Sequence, residues 1–500
     1  MRLIRLYVKN NGILKNFVLD FPQKPDNNIS VFIGENGSGK TTVLESITKI
    51  FSWFVNNEKP TFEFELEYQV RLEDKIMDSS TWSEFKTDYI WVKLFSNKDI
   101  VDIECNIAET VLKGLKAIRA SKELSAIKQT IKDNKFKILP DAIAIYYAGE
   151  STNIKKIVEA HNEEYSVAIR ELYDEEKETV PRSFFYYEPF HFNLLFLALL
   201  SFEYGDIPKM LEKKIQFNAI HYFTIKLKKP HWAKGKLNPE NDEYWGAKGT
   251  IAVFLRQLIE LSARRQQTKN GIALHFEGEK RHNLYKIKDL YGTEKDFFTI
   301  LEMTWLNDLI ESVDISITRY ANSEFYPVNS NTLSEGEKQA LIILGLNELV
   351  LKENSLALYD EPDTYLHPQW QREFIVELES YITNSVNIEN DYVITSHSPN
   401  IVAGIKKENL FVFKNGQTKE IPFNSFGKNV ESLLIDFFNV EGVRNKYVEN
   451  LLIEIQDMVK NKQIESSEFK AKFQELKDIL RPTAPEIVNI NLEIAKSRKK

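Results

Sequence analysis

A chain of 500 residues exceeds what one hydrophobic core normally serves, so two or three lobes are expected. Its 43% hydrophobic and 28% charged residues are the proportions of a globular protein and exclude a chain disordered throughout. The net charge of −8 argues against a protein that coats DNA non-specifically, though it leaves room for a local basic patch.

The opening segment MRLIRLYVKNNG lacks the long apolar run of a secretory signal. Leu3, Leu6 and Val8, the turn Asn10-Asn11-Gly12, and then Phe17, Leu19 and Phe21 predict a hairpin. The apolar run Ile29–Ile33 predicts a first parallel strand, ended by a glycine-rich loop. A helix follows from about Lys40, with Val43, Leu44, Ile47 and Ile50 on one face. Residues from about 60 to 105 read again as strands. The lone cysteine, Cys105, cannot form an internal disulfide and has no metal-ligand neighbours, which suits a reducing, cytoplasmic compartment. A charged helical stretch spans Ala108–Lys132, and 139–147 predicts another strand. From about 151 to 325 helices alternate with polar loops, without repeats or a sustained heptad pattern. Within this part, Phe190–Phe202 is too short to span a bilayer and reads as a buried helix. Strand–helix alternation resumes near Thr332 and continues to about Phe423, and a charged helical tail ends in Ser-Arg-Lys-Lys.

Four motifs lie along this framework. Gly34-Glu35-Asn36-Gly37-Ser38-Gly39-Lys40-Thr41 fits G-x-x-x-x-G-K-[ST], and Thr42 completes the expected contact set. Its backbone N–H groups can curl around phosphates at the positive end of the following helix. Lys40 is placed for the β- and γ-phosphates, and the Thr41 hydroxyl for magnesium. Leu333-Ser334-Glu335-Gly336-Glu337-Lys338-Gln339 precedes an amphipathic helix. Ser334 and Gly336 are read there as a cap for the γ-phosphate of a second copy, and Ser334 with Glu337 also forms a capping-box pattern. Ser355–Pro362 is an apolar strand ending in two carboxylates, Asp360 for magnesium and Glu361 for the attacking water. Ile394-Thr395-Ser396-His397-Ser398-Pro399 ends a further strand in a histidine expected to orient that water. Between these last two motifs, Asp363 is expected to face a second copy, and His367 to be structural. The end of 139–147, Tyr146-Tyr147-Ala148-Gly149, is where a glutamine that senses nucleotide would be sought, and none stands there.

Motif order and spacing resemble those of ABC-type ATPases, and Glu335 in a place that is glycine in transporters points to the SMC-like and RecF-like branch. The GENGSGKT loop, LSEGEKQ, DEPDTYLHP, SHSP and the charged tail together resemble the RecF-like AAA ATPases of bacterial anti-phage defence, and among these the PtuA ATPases of Septu and related retron systems. Pro230-His231-Trp232, Tyr244-Trp245-Gly246-Ala247 and Phe426–Phe438 are also similar to that family.

The resemblance implies an α/β fold: an ABC-type, RecF/SMC-like P-loop ATPase head with a mostly helical globular insertion and a helical C-terminal tail. The expected parts are 1–150 and 326–424 for the head, 151–325 for the insertion and 425–500 for the tail. It implies ATP and Mg2+ as ligands, conversion of ATP to ADP and phosphate, a head-to-head homodimer, and an HNH-family nuclease encoded beside it as partner, with no membrane. The chain is not itself expected to be a nuclease. The roughly one hundred residues after His397, a small allowance for a further domain, contain no D-x-D cluster and no histidine. An alternative is a RecF-like DNA repair ATPase without a nuclease partner, and a transporter motor is disfavoured by Glu335 and the long insertion. Lys226, Lys228, Lys229, Trp232, Lys234 and Lys236 are either a nucleic-acid contact or a solvated loop. Arg264-Arg265, read as helical, carries the same two readings. The apolar face Leu433, Leu434, Phe437 and Phe438 of the tail either docks a partner or packs on its own chain.

Overall fold

The computed structural model describes residues 1–23, 28–56, 60–71, 89–97, 100–105, 139–149, 152–171, 182, 184–233, 243–321, 323–384, 390–419, 421, 424–430, 432–433, 437, 444–481 and 483–498. Met1–Phe426 and Gly427–Lys500 form two compact units.

The first unit opens with β1 (Arg2–Asn11) and β2 (Leu14–Asp20), continues into β3 (Ile29–Gly34) and the helix Lys40–Asn56, and then runs through β4 (Phe64–Arg71), β5 (Tyr89–Asn97) and β6 (Ile100–Cys105). β1 and β2 pair antiparallel through Asn11↔Leu14, so the turn is Gly12-Ile13, one residue later than expected. Gly12 takes φ 58°, the left-handed conformation such a tight turn requires. Leu3 and Leu6 are both buried although three apart, because the pairing of β1 with β4 slips between Leu3 and Arg5. A bulge of this kind resets which face a side chain occupies. The antiparallel sheet β2-β1-β4-β5-β6 thereby turns one apolar face inward, against the buried Val43, Ile47 and Ile50 of the helix Lys40–Asn56.

The second sheet gathers β7 (Ile143–Tyr147), β8 (Phe184–Tyr186), β14 (Leu356–Asp360), β15 (Asp391–Thr395), β16 (Leu410–Lys414) and β17 (Gln417–Lys419) around β3, in the order β17-β16-β3-β15-β14-β7-β8. Every pairing but β16–β17 is parallel. β3, β14 and β15 are buried at every position, as central parallel strands require. Because the strands run parallel, the glycine loop, Asp360 and Thr395 all emerge at one edge.

The part between these strands holds the expected helices together with a third sheet that the sequence reading did not foresee. It is five-stranded and antiparallel, in the order β10-β11-β9-β12-β13, built from β9 (Phe217–Lys228), β10 (Arg264–Gln267), β11 (Gly271–Phe276), β12 (Ile310–Ala321) and β13 (Glu324–Asn329). Arg264 and Arg265 thus lie on an exposed edge strand and not on a helix. The stretch read as a buried helix is one: in His191–Leu199 every residue except Asn193 is buried. Among the described residues no helix is long and apolar enough to cross a membrane.

The second unit contains the helices Lys446–Lys460, Ser467–Ile479 and Pro485–Arg498 around a core of its own that includes Leu451, Ile455, Phe473 and Ile487. Leu433 and Phe437 are buried. Leu434 and Phe438 lie outside the described residues.

Candidate nucleotide site

The glycine loop follows β3 directly, and its shape is set by what surrounds it. A Cβ on Gly34 would stand 2.3 Å from the Phe413 carbonyl of β16. One on Gly39 would stand 3.1 Å from both Ile13 and Leu14 at the hairpin tip. Gly34, Gly37 and Gly39 have φ of 149°, 74° and 109°, values that favour glycine. The loop is tied down where the Gly416 N–H donates to the Ser38 carbonyl at 2.9 Å.

Lys40 is 5% exposed and folds back over the loop, donating to the carbonyls of Gly34 at 2.9 Å and Glu35 at 3.1 Å. Burial lowers its pKa, while Glu361 and Asp360 oppose the shift. Among the described residues the buried Ser38 hydroxyl has no hydrogen-bond partner, an orphaned polar group within the glycine loop.

Thr41 and Asp360 are brought together from opposite ends of the head: the Thr41 hydroxyl donates to Asp360 Oδ2 at 2.9 Å. The Thr395 hydroxyl donates to the other carboxylate oxygen. Burial raises the Asp360 pKa, with the two hydroxyls pulling it back. A hydroxyl and a single carboxylate beside a phosphate cradle fit magnesium, which takes few protein ligands and keeps phosphate oxygens and water. Among the described residues there is no cluster of three or more His, Cys, Asp and Glu that would suit a more demanding metal.

Glu361 stands next to Asp360 but points elsewhere, because its backbone takes φ 52°. Thr395 holds it there, accepting the Glu361 N–H at its hydroxyl (3.0 Å) and at its carbonyl (3.2 Å). His397 Nε2 lies 3.0 Å from Glu361 Oε1 and donates to the carboxylate. This hydrogen bond, ahead of any other cause, lowers the Glu361 pKa and favours the ionised carboxylate. Thr395, quoted within the histidine motif but assigned no role, is the residue that sequence reasoning missed. It donates to the Asp360 carboxylate and accepts the Glu361 backbone N–H, and a hydroxyl two residues before the motif histidine was the signal. At the glutamine-less position, Tyr147 pairs in register with Asp360, and burial followed by the two carboxylates raises its phenol pKa.

Asp363 departs from expectation. It is 3% exposed and accepts the Ser396 hydroxyl at 2.9 Å, so it braces its own chain and does not face a second copy. Burial pushes its pKa up to about 6. His367 Nδ1 accepts the Gln369 N–H at 3.3 Å within its own turn.

The LSEGEKQ segment starts the helix Glu335–Gly345 with a complete capping box. Ser334 donates from its N–H (2.8 Å) and its hydroxyl (3.0 Å) to Glu337, and its hydroxyl accepts the Glu337 N–H at 3.3 Å. All its hydrogen bonds thus stay within the helix start, none reaching the glycine loop of the same chain. The basic cluster is similarly committed. Lys226 pairs with Asp314 at 3.0 Å, Lys228 pairs with Asp308, and Trp232 donates to the Asn307 carbonyl at 2.9 Å. Lys234 and Lys236 lie outside the described residues.

A phosphate cradle at a strand–helix junction, a hydroxyl–carboxylate pair beside it and a glutamate–histidine pair next to that define a P-loop ATPase head of the ABC/SMC-like class. The chain belongs to the AAA ATPase domain family, whose match covers residues 1–402. Two curated relatives are similar to it. One is the Retron Ec83 probable ATPase of Escherichia coli, 29% identical over 33% of this chain and 32% of the relative. The other is the Retron Vc95 probable ATPase of Vibrio cholerae serotype O1 biovar El Tor, 22% identical over 82% of this chain and 74% of the relative. The match thus spans about a third of the first relative's length and about three quarters of the second's. Solved structures similar to it include an Smc head bound to the C-winged helix domain of ScpA (TM-score 0.35, 11% identity, 85% of this chain and 98% of that one). An ATP-binding cassette of an ABC transporter also matches (TM-score 0.27, 14% identity, 87% and 96%).

Proposed function

We propose that the chain hydrolyses ATP at a site completed by a second copy of itself. The carrying observation is that Lys40, Thr41, Asp360, Glu361 and His397 converge at one sheet edge, while the Ser334 hydroxyl is engaged with Glu337 of its own helix. Lys40 and the loop N–H groups bind the phosphates. Glu361, its carboxylate oriented by His397, takes the proton of the attacking water. Magnesium, held by Thr41 and Asp360 when bound, offsets charge on the transferring phosphate. Ser334 and the first N–H groups of its helix stabilise that charge from the opposite copy. The chain then acts as the ATPase subunit of a cytoplasmic anti-phage defence complex of the Septu and retron kind. Its nucleotide-dependent dimerisation governs an HNH-family nuclease encoded beside it. The similarity to two retron probable ATPases supports this setting.

The test is a pull-down of tagged Glu361→Gln protein from its native host, with light scattering of the same protein with and without ATP. The proposal expects an ATP-dependent dimer carrying an HNH-type nuclease in stable proportion. A monomer under all conditions would remove the shared site. Recovery of DNA or recombination proteins without a nuclease would replace defence with repair.

A further inference from the structure

Gln339, the last residue of the LSEGEKQ run, is 1% exposed and uses its whole amide. Its Nε2 donates to the Tyr146 hydroxyl at 3.2 Å and to the Glu361 carbonyl at 3.4 Å, and its Oε1 accepts the Tyr365 N–H at 2.8 Å. These partners decide which end of the amide is which. Reversed, it would set oxygen against the Glu361 carbonyl and nitrogen against an N–H. One turn earlier in the same helix, Gly336 approaches the Tyr365 carbonyl so closely that a Cβ would lie 2.7 Å from it. The turn 361–365 therefore rides on the helix that begins at Ser334.

Glu361 needs such support. A φ of 52° is sparsely populated for a residue with a side chain and persists only where the surroundings over-determine it. Thr395 holds the Glu361 N–H, while Thr364 (3.0 Å) and Gln339 hold its carbonyl. Of these, Gln339 alone comes from the helix that presents Ser334.

On the reading of a shared ATP site given above, we infer that Gln339 is a positioning residue for hydrolysis. Through the Glu361 backbone it couples the helix that grips the opposite copy's nucleotide to the carboxylate of its own site. When Ser334 engages phosphate in one site, the helix carries Gln339 and with it Glu361 in the other. Small shifts suffice, because tightly packed elements move as units and do not deform continuously.

Two variants of the full chain separate this role from simple packing. Gln339→Met keeps the shape and loses all three hydrogen bonds. Gln339→Glu, assayed at pH 8, still accepts from Tyr365 N–H and from Tyr146 O–H but has no proton for the Glu361 carbonyl. The measurements are kcat, KM, the Kd of a non-hydrolysable ATP analogue, and Tm. The inference expects kcat to fall about tenfold or more in both variants, the size of a misplaced catalytic group, with analogue Kd unchanged within about threefold. A Glu variant with wild-type kcat, or analogue affinity lost in step with kcat, would overturn it. Should the Met variant fail to fold, the Glu variant alone carries the decision. An unaltered chain without turnover would overturn the ATPase reading and this inference together. A wild type that turns over beside an unimpaired Glu variant would overturn this inference alone.

Discussion

At the residue scale, each motif position is filled for two reasons at once. Gly39 leaves room for a phosphate, and its φ of 109° together with the closeness of Ile13 and Leu14 disfavours a side chain there. Gly39→Ala, at φ 109°, is therefore expected to cost about 1–3 kcal/mol of stability and to weaken ATP binding, checked by thermal unfolding and nucleotide titration. Lys40→Ala should abolish nucleotide binding with little loss of stability. Glu361→Gln should keep binding and stop turnover, and an unchanged ATPase rate in it would refute the role of the carboxylate. A different carboxyl sets a pH dependence. Asp391, fully buried and accepting the Leu3 N–H at 2.7 Å, has its pKa pushed up by burial to about 7. A carboxyl whose folded pKa lies above its unfolded value of about 3.9 contributes stability that is full below about pH 4 and lost as pH rises through about 7. Melting curves of Asp391→Asn from pH 5 to 8 should accordingly fall less steeply than those of the wild type, and parallel curves would refute the assignment.

At the scale of elements, legibility in the sequence followed chemical necessity. β3, its loop and the following helix were readable because a phosphate loop needs glycines and a lysine at fixed spacing. β14 and β15 were readable only because they follow a complete phosphate loop in the expected motif order, since an apolar run ending in Asp-Glu or in histidine is common by itself. The sheet β10-β11-β9-β12-β13 was not, for physical reasons. β10 is Arg-Arg-Gln-Gln, exposed throughout, and β13 carries Pro327, as edge strands do. Pairing of β9 with β12 slips at several points, which breaks the two-residue alternation that identifies a strand. Asp363 was misplaced because motif order gives a position along the chain and not the direction of a side chain. In the helix Glu294–Leu306, Glu302 is 4% exposed and lies against the Arg182 guanidinium, which also donates to the Phe184 carbonyl and to Asn162. Glu302→Ala removes the carboxylate that faces this largely enclosed guanidinium, so a loss of about 3 kcal/mol is expected in chemical denaturation.

At the scale of the whole molecule, the account rests on half-sites. One edge of the parallel sheet holds the phosphate loop, both carboxylates and the histidine, while the serine that would close over the nucleotide is turned to its own helix cap. On the proposed shared site, neither half is expected to catalyse efficiently alone, since charge in the transition state would be met from both sides. Complementation tests this most directly. Lys40→Ala removes the loop half of a site and Ser334→Arg removes the cap half. A mixed dimer of the two retains one intact site, formed by Lys40 of the second variant and Ser334 of the first. The measurement is ATPase activity of each variant alone and of their equimolar mixture. The account predicts two inactive proteins whose mixture recovers a substantial fraction of wild-type turnover. Full activity of Ser334→Arg alone, or an inert mixture of two folded variants, would contradict it.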